Sequence, residues 1–179
     1  MLSRREFLHT SAMAFAGFQV AVTNAASSTD LVVSTPIGRI RGTAVNNAAI
    51  FRGVPFAQPP IGALRFRPPV PVKPWPGVRN ATEFTPAAIQ PTPTSFAQNE
   101  DCLYLNIWAP QGRGPFPVFV WIHGGGFTGG RASDPVFDGT VFTDHWIVCI
   151  TVPYRLGVLG FLDMEPAPTL GRLTTACAI

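Results

Sequence analysis

The segment richest in chemical possibility is His123-Gly124-Gly125-Gly126-Phe127, directly after the apolar run FPVFVWI at residues 116–122. Three consecutive glycines at a strand end let backbone N–H groups point into one small volume with no side chain in the way. Donors held like this suit an oxygen on which negative charge develops, because they are oriented before the charge arises. Removing one such donor from an enzyme costs roughly 3–4 kcal/mol of transition-state stabilisation. The same glycines also fit a plain tight turn. A phosphate cradle is a third reading, but the Gly-Lys-Ser/Thr that completes one is missing. His123 is expected to be a structural residue behind the loop rather than a general base, and His145 a surface residue before a strand. Cys102, Cys149 and Cys177 have neither zinc-ligand spacing nor a nearby histidine pair, so no metal or other cofactor is expected.

The loop needs strands to hold it. Residues 116–122 and 146–152 (WIVCITV) are nearly continuous apolar runs rich in Val and Ile, the pattern of strands buried on both faces of a covered sheet. Residues 103–108 (LYLNIW) read as a further strand. Upstream, residues 31–33 and 39–41 flank Thr35-Pro36-Ile37-Gly38 as a β-hairpin, and residues 50–54 form a third short strand stopped by Pro55. Prolines recur too often between positions 59 and 76 for a helix or a central strand. That stretch is expected to wrap the surface, pinned by Phe66 and Trp75. Residues 86–99 are Pro/Thr/Ser-rich and read as mobile. Only residues 136–144 could hold a short helix, so the covering layers that two-sided strands need are largely missing.

Composition excludes several classes. The chain has 179 residues, 46% hydrophobic and 13% charged, so charge repulsion does not keep it unfolded. The net charge of +3 is spread over scattered arginines with Lys73 as the single lysine, and no basic stripe for nucleic acid exists. Residues 1–25 read as an export signal. Arg4-Arg5 precede an apolar stretch at residues 7–22 that is too short and too polar for a membrane anchor. Thr23-Asn24-Ala25-Ala26 supplies small residues for cleavage. The paired arginines match a twin-arginine (Tat) signal, read by the Tat export machinery of a bacterium, which implies a periplasmic or secreted protein.

Glu100-Asp101-Cys102-Leu103-Tyr104-Leu105-Asn106-Ile107-Trp108-Ala109-Pro110 closely resembles a signature of the type-B carboxylesterases, the cholinesterase-like branch of the α/β-hydrolases. Phe51-Arg52-Gly53-Val54-Pro55-Phe56-Ala57-Gln58-Pro59-Pro60, Leu64-Arg65-Phe66-Arg67-Pro68-Pro69, Pro74-Trp75-Pro76-Gly77-Val78-Arg79 and Tyr154-Arg155-Leu156-Gly157-Val158-Leu159-Gly160-Phe161 are similar to further segments, in family order. The resemblance implies an incomplete α/β-hydrolase over residues 26–162: an N-terminal antiparallel hairpin region, then the first strands of a mixed central sheet. It implies serine-dependent hydrolysis of a small-molecule carboxylic ester. Gly125 and Gly126 match the glycines whose amides form part of the family's oxyanion hole. Arg65 and Glu100 match a structural ion pair. Cys102 matches a disulfide cysteine whose partner position here reads Ala88, so it is expected to be unpaired. Pro153 replaces an asparagine, and its missing N–H is expected to disturb packing just past a buried strand.

Such a hydrolase also needs a serine on a Gly-x-Ser-x-Gly elbow, then an acid and a histidine. None of Ser3, Ser11, Ser27, Ser28, Ser34, Ser95 and Ser133 lies in that motif. Ser133-Asp134 follows the glycine loop, but a serine with no oriented base is a poor nucleophile. With nucleophile, acid and base missing, the chain alone is expected to be inactive. Residues 163–179 read as a variable loop followed by an out-of-frame tail. The family continues to something like Asn-Tyr-Gly-Leu-Arg-Asp, and one set of codons for that hexapeptide, read one base late and followed by a base other than G, encodes Thr174-Thr175-Ala176-Cys177-Ala178-Ile179. Two alternatives to an enzyme are a non-catalytic cholinesterase-like binding or adhesion module and a non-functional truncated product. The second would leave the faces of FPVFVWI and WIVCITV bare and would aggregate.

Overall fold

A computed structural model of the chain describes residues 31–91 and 94–162. The export signal, the tail and Cys177 lie outside the described residues. β1 (Leu31–Thr35) and β2 (Gly38–Val45) form the expected hairpin, closed where the Thr35 hydroxyl donates to the Gly38 carbonyl at 2.7 Å. A second hairpin, which the sequence reading missed, joins β2 to β3 (Ala48–Pro55). Its turn is Asn46-Asn47, with Asn46 at φ 50°, a left-handed conformation that asparagine tolerates. Pro55 is the last residue of β3 rather than a stop beyond it.

β4 (Val78–Asn80), β5 (Tyr104–Pro110), β6 (Val118–Ile122) and β7 (Val148–Val152) complete a sheet ordered β1-β2-β3-β5-β7-β6, with β4 paired to β2. Neighbours along that path are antiparallel except β6 and β7, which are parallel. β2 changes partners partway: its first half pairs with β1 and β4, its second with β3. Gly42 marks the bend, where a Cβ would collide with the Ile50 carbonyl and the Phe51 ring. The bend lays β1 and the start of β2 over one face of β3, β5 and β7. Val33, Ile40, Phe51, Val54, Ile107, Ile150 and Val152 form the buried core between them. On the opposite face Ile50, Trp108 and Cys149 pack under Phe142 of α1 (Thr140–Thr143), a short helix inside the 136–144 stretch.

Three expectations change. The two apolar runs do not share one environment. Cys149, Ile150, Thr151 and Val152 of β7 are buried, whereas all five residues of β6 are exposed, because β6 is the outer strand of the described sheet and little among the described residues packs on its two faces. Residues 86–91 and 94–99 are tied to each other rather than loose: the Ala87 amide donates to the Ala97 carbonyl at 3.0 Å and the Asn99 amide to the Ala87 carbonyl at 2.8 Å. Pro153 is buried, and because β7 ends at Val152 no ladder bond is asked of it. The proline-rich wrap holds one short 3-10 turn at Gly62–Leu64. Trp75 pins it, its indole N–H donating to the Arg39 carbonyl at 3.1 Å, and Phe66 is half-buried.

Candidate functional site

β6 ends at Ile122 and the chain enters the glycine loop at once. His123 is 4% exposed, its ring stacked on Tyr154 with centroids 4.5 Å apart, and the Tyr154 hydroxyl donates to the His123 carbonyl at 3.0 Å. Burial pushes the imidazole pKa down, opposed by its hydrogen bond to the Gly124 carbonyl, so the ring is a neutral spacer behind the loop. Gly125 has φ 128°, and a Cβ there would overlap the Gly129 carbonyl. Only glycine fits. Gly126 has φ 58° with open space around it. The loop closes where the amides of Thr128 and Gly129 donate to the Gly125 carbonyl at 3.2 and 3.1 Å. Both Gly125 and Gly126 are exposed, and among the described residues nothing accepts from either amide. These are donors with no internal use.

The loop is braced on several sides. The Gly157 amide, opening α2 (Gly157–Phe161), donates to the Phe127 carbonyl at 2.7 Å, and the Phe127 and Phe161 rings meet at 4.9 Å. Past the loop, the Ala132 carbonyl accepts from Thr151 at 3.0 Å, and Asn106 donates to the same Thr151 hydroxyl at 3.0 Å. The other end of the Asn106 amide accepts from Gly53 at 3.2 Å, where a bulge in β3 shifts the register. Sequence reasoning missed Asn106 as a brace. The signal was there: an asparagine inside LYLNIW must be hydrogen-bonded if the strand is buried.

Arg65 and Glu100 come together, Nε and Nη2 of the guanidinium donating to the two carboxylate oxygens at 2.6 Å each. The hydrogen bond, then the charge, of Glu100 raises the Arg65 pKa. The pair ties the proline-rich wrap to the segment before β5, beside Cys102. Cys102 is a free, buried thiol in one cluster with Ala88, Leu103, Tyr154 and Leu156, and desolvation pushes its pKa up to about 12. Asp134 caps the 3-10 turn Pro135–Phe137 through the Val136 amide at 3.1 Å and pairs with Arg131 at 3.4 Å. Among the described residues no histidine or carboxylate is hydrogen-bonded to Ser133. No helix among them is long and apolar enough to cross a membrane.

An antiparallel lead-in, a parallel β6–β7 pair and a glycine loop at the end of β6 define the first part of an α/β-hydrolase sheet. The chain belongs to the carboxylesterase family, whose model matches residues 29–171. It is 42% identical over 139 residues to fumonisin B1 esterase of Sphingopyxis macrogoltabida, covering 74% of this chain and 26% of that protein. It is 41% identical over 158 residues to acetylcholinesterase of Bungarus fasciatus, covering 78% and 26%. A crystal structure of a Geobacillus stearothermophilus carboxylesterase aligns with TM-score 0.69 and 47% identity over 73% of this chain and 27% of its own. The chain therefore spans about a quarter of the length of these relatives.

Proposed function

We propose that the chain is the oxyanion-binding part of an exported serine esterase, Gly125 and Gly126 donating to the oxygen of a carboxylic ester as it becomes tetrahedral. One observation carries the reading: two adjacent amides at the end of a parallel strand, held in backbone conformations only glycine adopts freely, with no acceptor of their own. Nucleophile, acid and base would come from outside residues 26–162, and the 179-residue chain by itself turns over no ester. The relatives' names support the bond type; which ester is cleaved rests on residues outside this segment.

A chimera tests this. Residues 26–162 replace the matching part of the Geobacillus carboxylesterase, and hydrolysis of p-nitrophenyl acetate is followed beside the 179-residue chain. The chimera is expected to hydrolyse the ester and the chain to match buffer. A folded chimera without activity overturns the assignment of the glycine loop. Export is checked separately: changing Arg4 and Arg5 to Lys should leave the precursor inside the cell.

The exposed β6 favours a second reading for the chain on its own, self-association in place of work. Val118, Val120 and Ile122 are 54%, 45% and 52% exposed; among the described residues no second strand pairs with β6, which carries no proline or charge to protect that edge. Val120→Lys should turn an aggregating chain into a soluble monomer by sedimentation. A wild-type chain that is already monomeric at high concentration removes this reading.

A further inference from the structure

Gln90 lies in the Pro/Thr/Ser-rich segment after the wrap, forty residues before Gly130, yet its side chain reaches the glycine loop. Its Nε2 donates to the Gly130 carbonyl at 2.6 Å, and its Oε1 accepts from the Gly130 amide at 3.0 Å. One primary amide thus satisfies both backbone groups of one residue, a strand-like pairing made by a side chain. The clamp is itself held: the Gln90 amide donates to Gln98 Oε1 at 2.7 Å, and Gln98 Nε2 donates to the Thr94 hydroxyl at 2.7 Å. The Arg131 guanidinium, next along the chain, lies 4.2 Å over the Phe96 ring and closes the same segment against the loop.

Gly130 is where the loop returns to its own start. It has φ 106°, and a Cβ there would run into the Gly124 carbonyl and the His123 ring. The backbone of Gly130 is therefore packed against the residues that open the loop, while Gly125 and Gly126 lie between the two ends. Those two amides make no bonds of their own, so their direction is set by how the ends are held. We infer that Gln90 is a positioning residue for the oxyanion donors, acting through Gly130 to fix the Gly124–Gly130 closure. The inference rests on the oxyanion role proposed above for its meaning in catalysis, but not for its geometry. Glutamine is the type this task needs, because Gly130 presents one donor and one acceptor at once. A carboxylate offers no donor, and a hydrocarbon offers neither.

Residue-resolved hydrogen exchange by mass spectrometry on the 179-residue chain tests it, with wild type and variant labelled at one low concentration at which sedimentation shows the same state of association for both. The reporters are the Thr128 and Gly129 amides, which bond to Gly125 and which Gln90 does not hydrogen-bond. In Gln90→Met, protection at Thr128, Gly129 and Gly130 is expected to fall about tenfold or more, as when a local closure is released. Amides of β3 and β5 should keep wild-type values. Loss confined to Gly130 overturns the inference and leaves Gln90 a local tie.

Gln90→Glu keeps the test decisive if the methionine variant fails to fold. A protonated glutamic acid offers one donor and one acceptor as glutamine does, whereas the carboxylate faces the Gly130 carbonyl with repulsion. Protection factors at Thr128 and Gly129, corrected for intrinsic exchange, should be near wild type in acid and collapse as that carboxyl ionises. A pH-independent profile in Gln90→Glu overturns the inference. Failure of the esterase reading is distinguishable, because it shows as a folded, inactive chimera with the exchange pattern unchanged.

Discussion

β6 and β7 lie side by side, five residues each, in parallel register from Val118 opposite Val148 to Ile122 opposite Val152. Their sequences, VFVWI and VCITV, are nearly interchangeable as strand formers. Their surroundings are not. β7 sits between β5 and β6, with Ile150 and Val152 under the folded-over hairpin and Cys149 beside Trp108 under Phe142. Among the described residues β6 has one strand neighbour, and the crossover meets it through Phe142 on Phe119 at 4.8 Å and Phe137 on Trp121 at 5.2 Å. An apolar run reports what burial a strand can use, not what burial it receives. The glycine loop nonetheless grows from the bare strand, and it is ordered from elsewhere, by Gln90, Tyr154 and the Asn106–Thr151 pair.

The largest effect expected from this contrast concerns chemistry at the loop. In the esterase chimera, Gly125→Ala forces a Cβ into the Gly129 carbonyl and should lower kcat by about a hundredfold or more, the scale of losing an oxyanion donor. Gly126→Ala meets open space and should cost less, through its positive φ alone. Equal losses at the two positions would mean that closure of the loop is not the distinction between them.

Next comes stability on the two sides of the sheet. Phe51, fully buried in the core, should cost about 3–5 kcal/mol when cut to alanine, as large core aromatics do. Val120→Ala on β6 should stay within about 0.5 kcal/mol, as exposed substitutions do. Denaturant midpoints compare the two directly. A costly Val120→Ala would show that β6 is covered in solution.

A smaller effect is expected at alkaline pH. Folding keeps the Cys102 thiol protonated up to about 12, against an ordinary thiol value of 9.0. The unfolded chain therefore loses that proton first as pH rises. The associated stability is complete below pH 9 and drains away between there and about 12. Cys102→Ala should flatten that part of the alkaline limb, measured as melting temperature against pH. The smallest effect belongs to Arg65→Ala, which removes a part-exposed ion pair between the wrap and the segment before β5. It should lower the melting temperature slightly at low salt and not at all at high salt.

Much of the architecture was legible from local pattern. The first hairpin, the LYLNIW strand, both apolar runs and the short helix before WIVCITV follow from alternation, turn residues and Val/Ile density, all of which act over a few neighbouring residues. The Asn46-Asn47 hairpin was legible but overlooked. β4 was not, because three residues pair with β2 only after the proline-rich wrap brings them there. In the candidate site, Gly125 and Gly126 stood out because three successive glycines are a local backbone statement. Gln90 did not, since a glutamine beside prolines says nothing by itself about a glycine forty residues later.

The division has a physical cause. The sequence by itself determined which segments extend, where the chain can turn tightly and which backbone amides are unobstructed, because sterics and side-chain periodicity decide these within a few residues. Tertiary structure alone decided which apolar strand is covered and which is bare. It also decided that Gln90 meets Gly130 and that His123 is sealed behind Tyr154. Those outcomes depend on sheet order and on contacts between segments remote in sequence, and a local pattern carries no record of either.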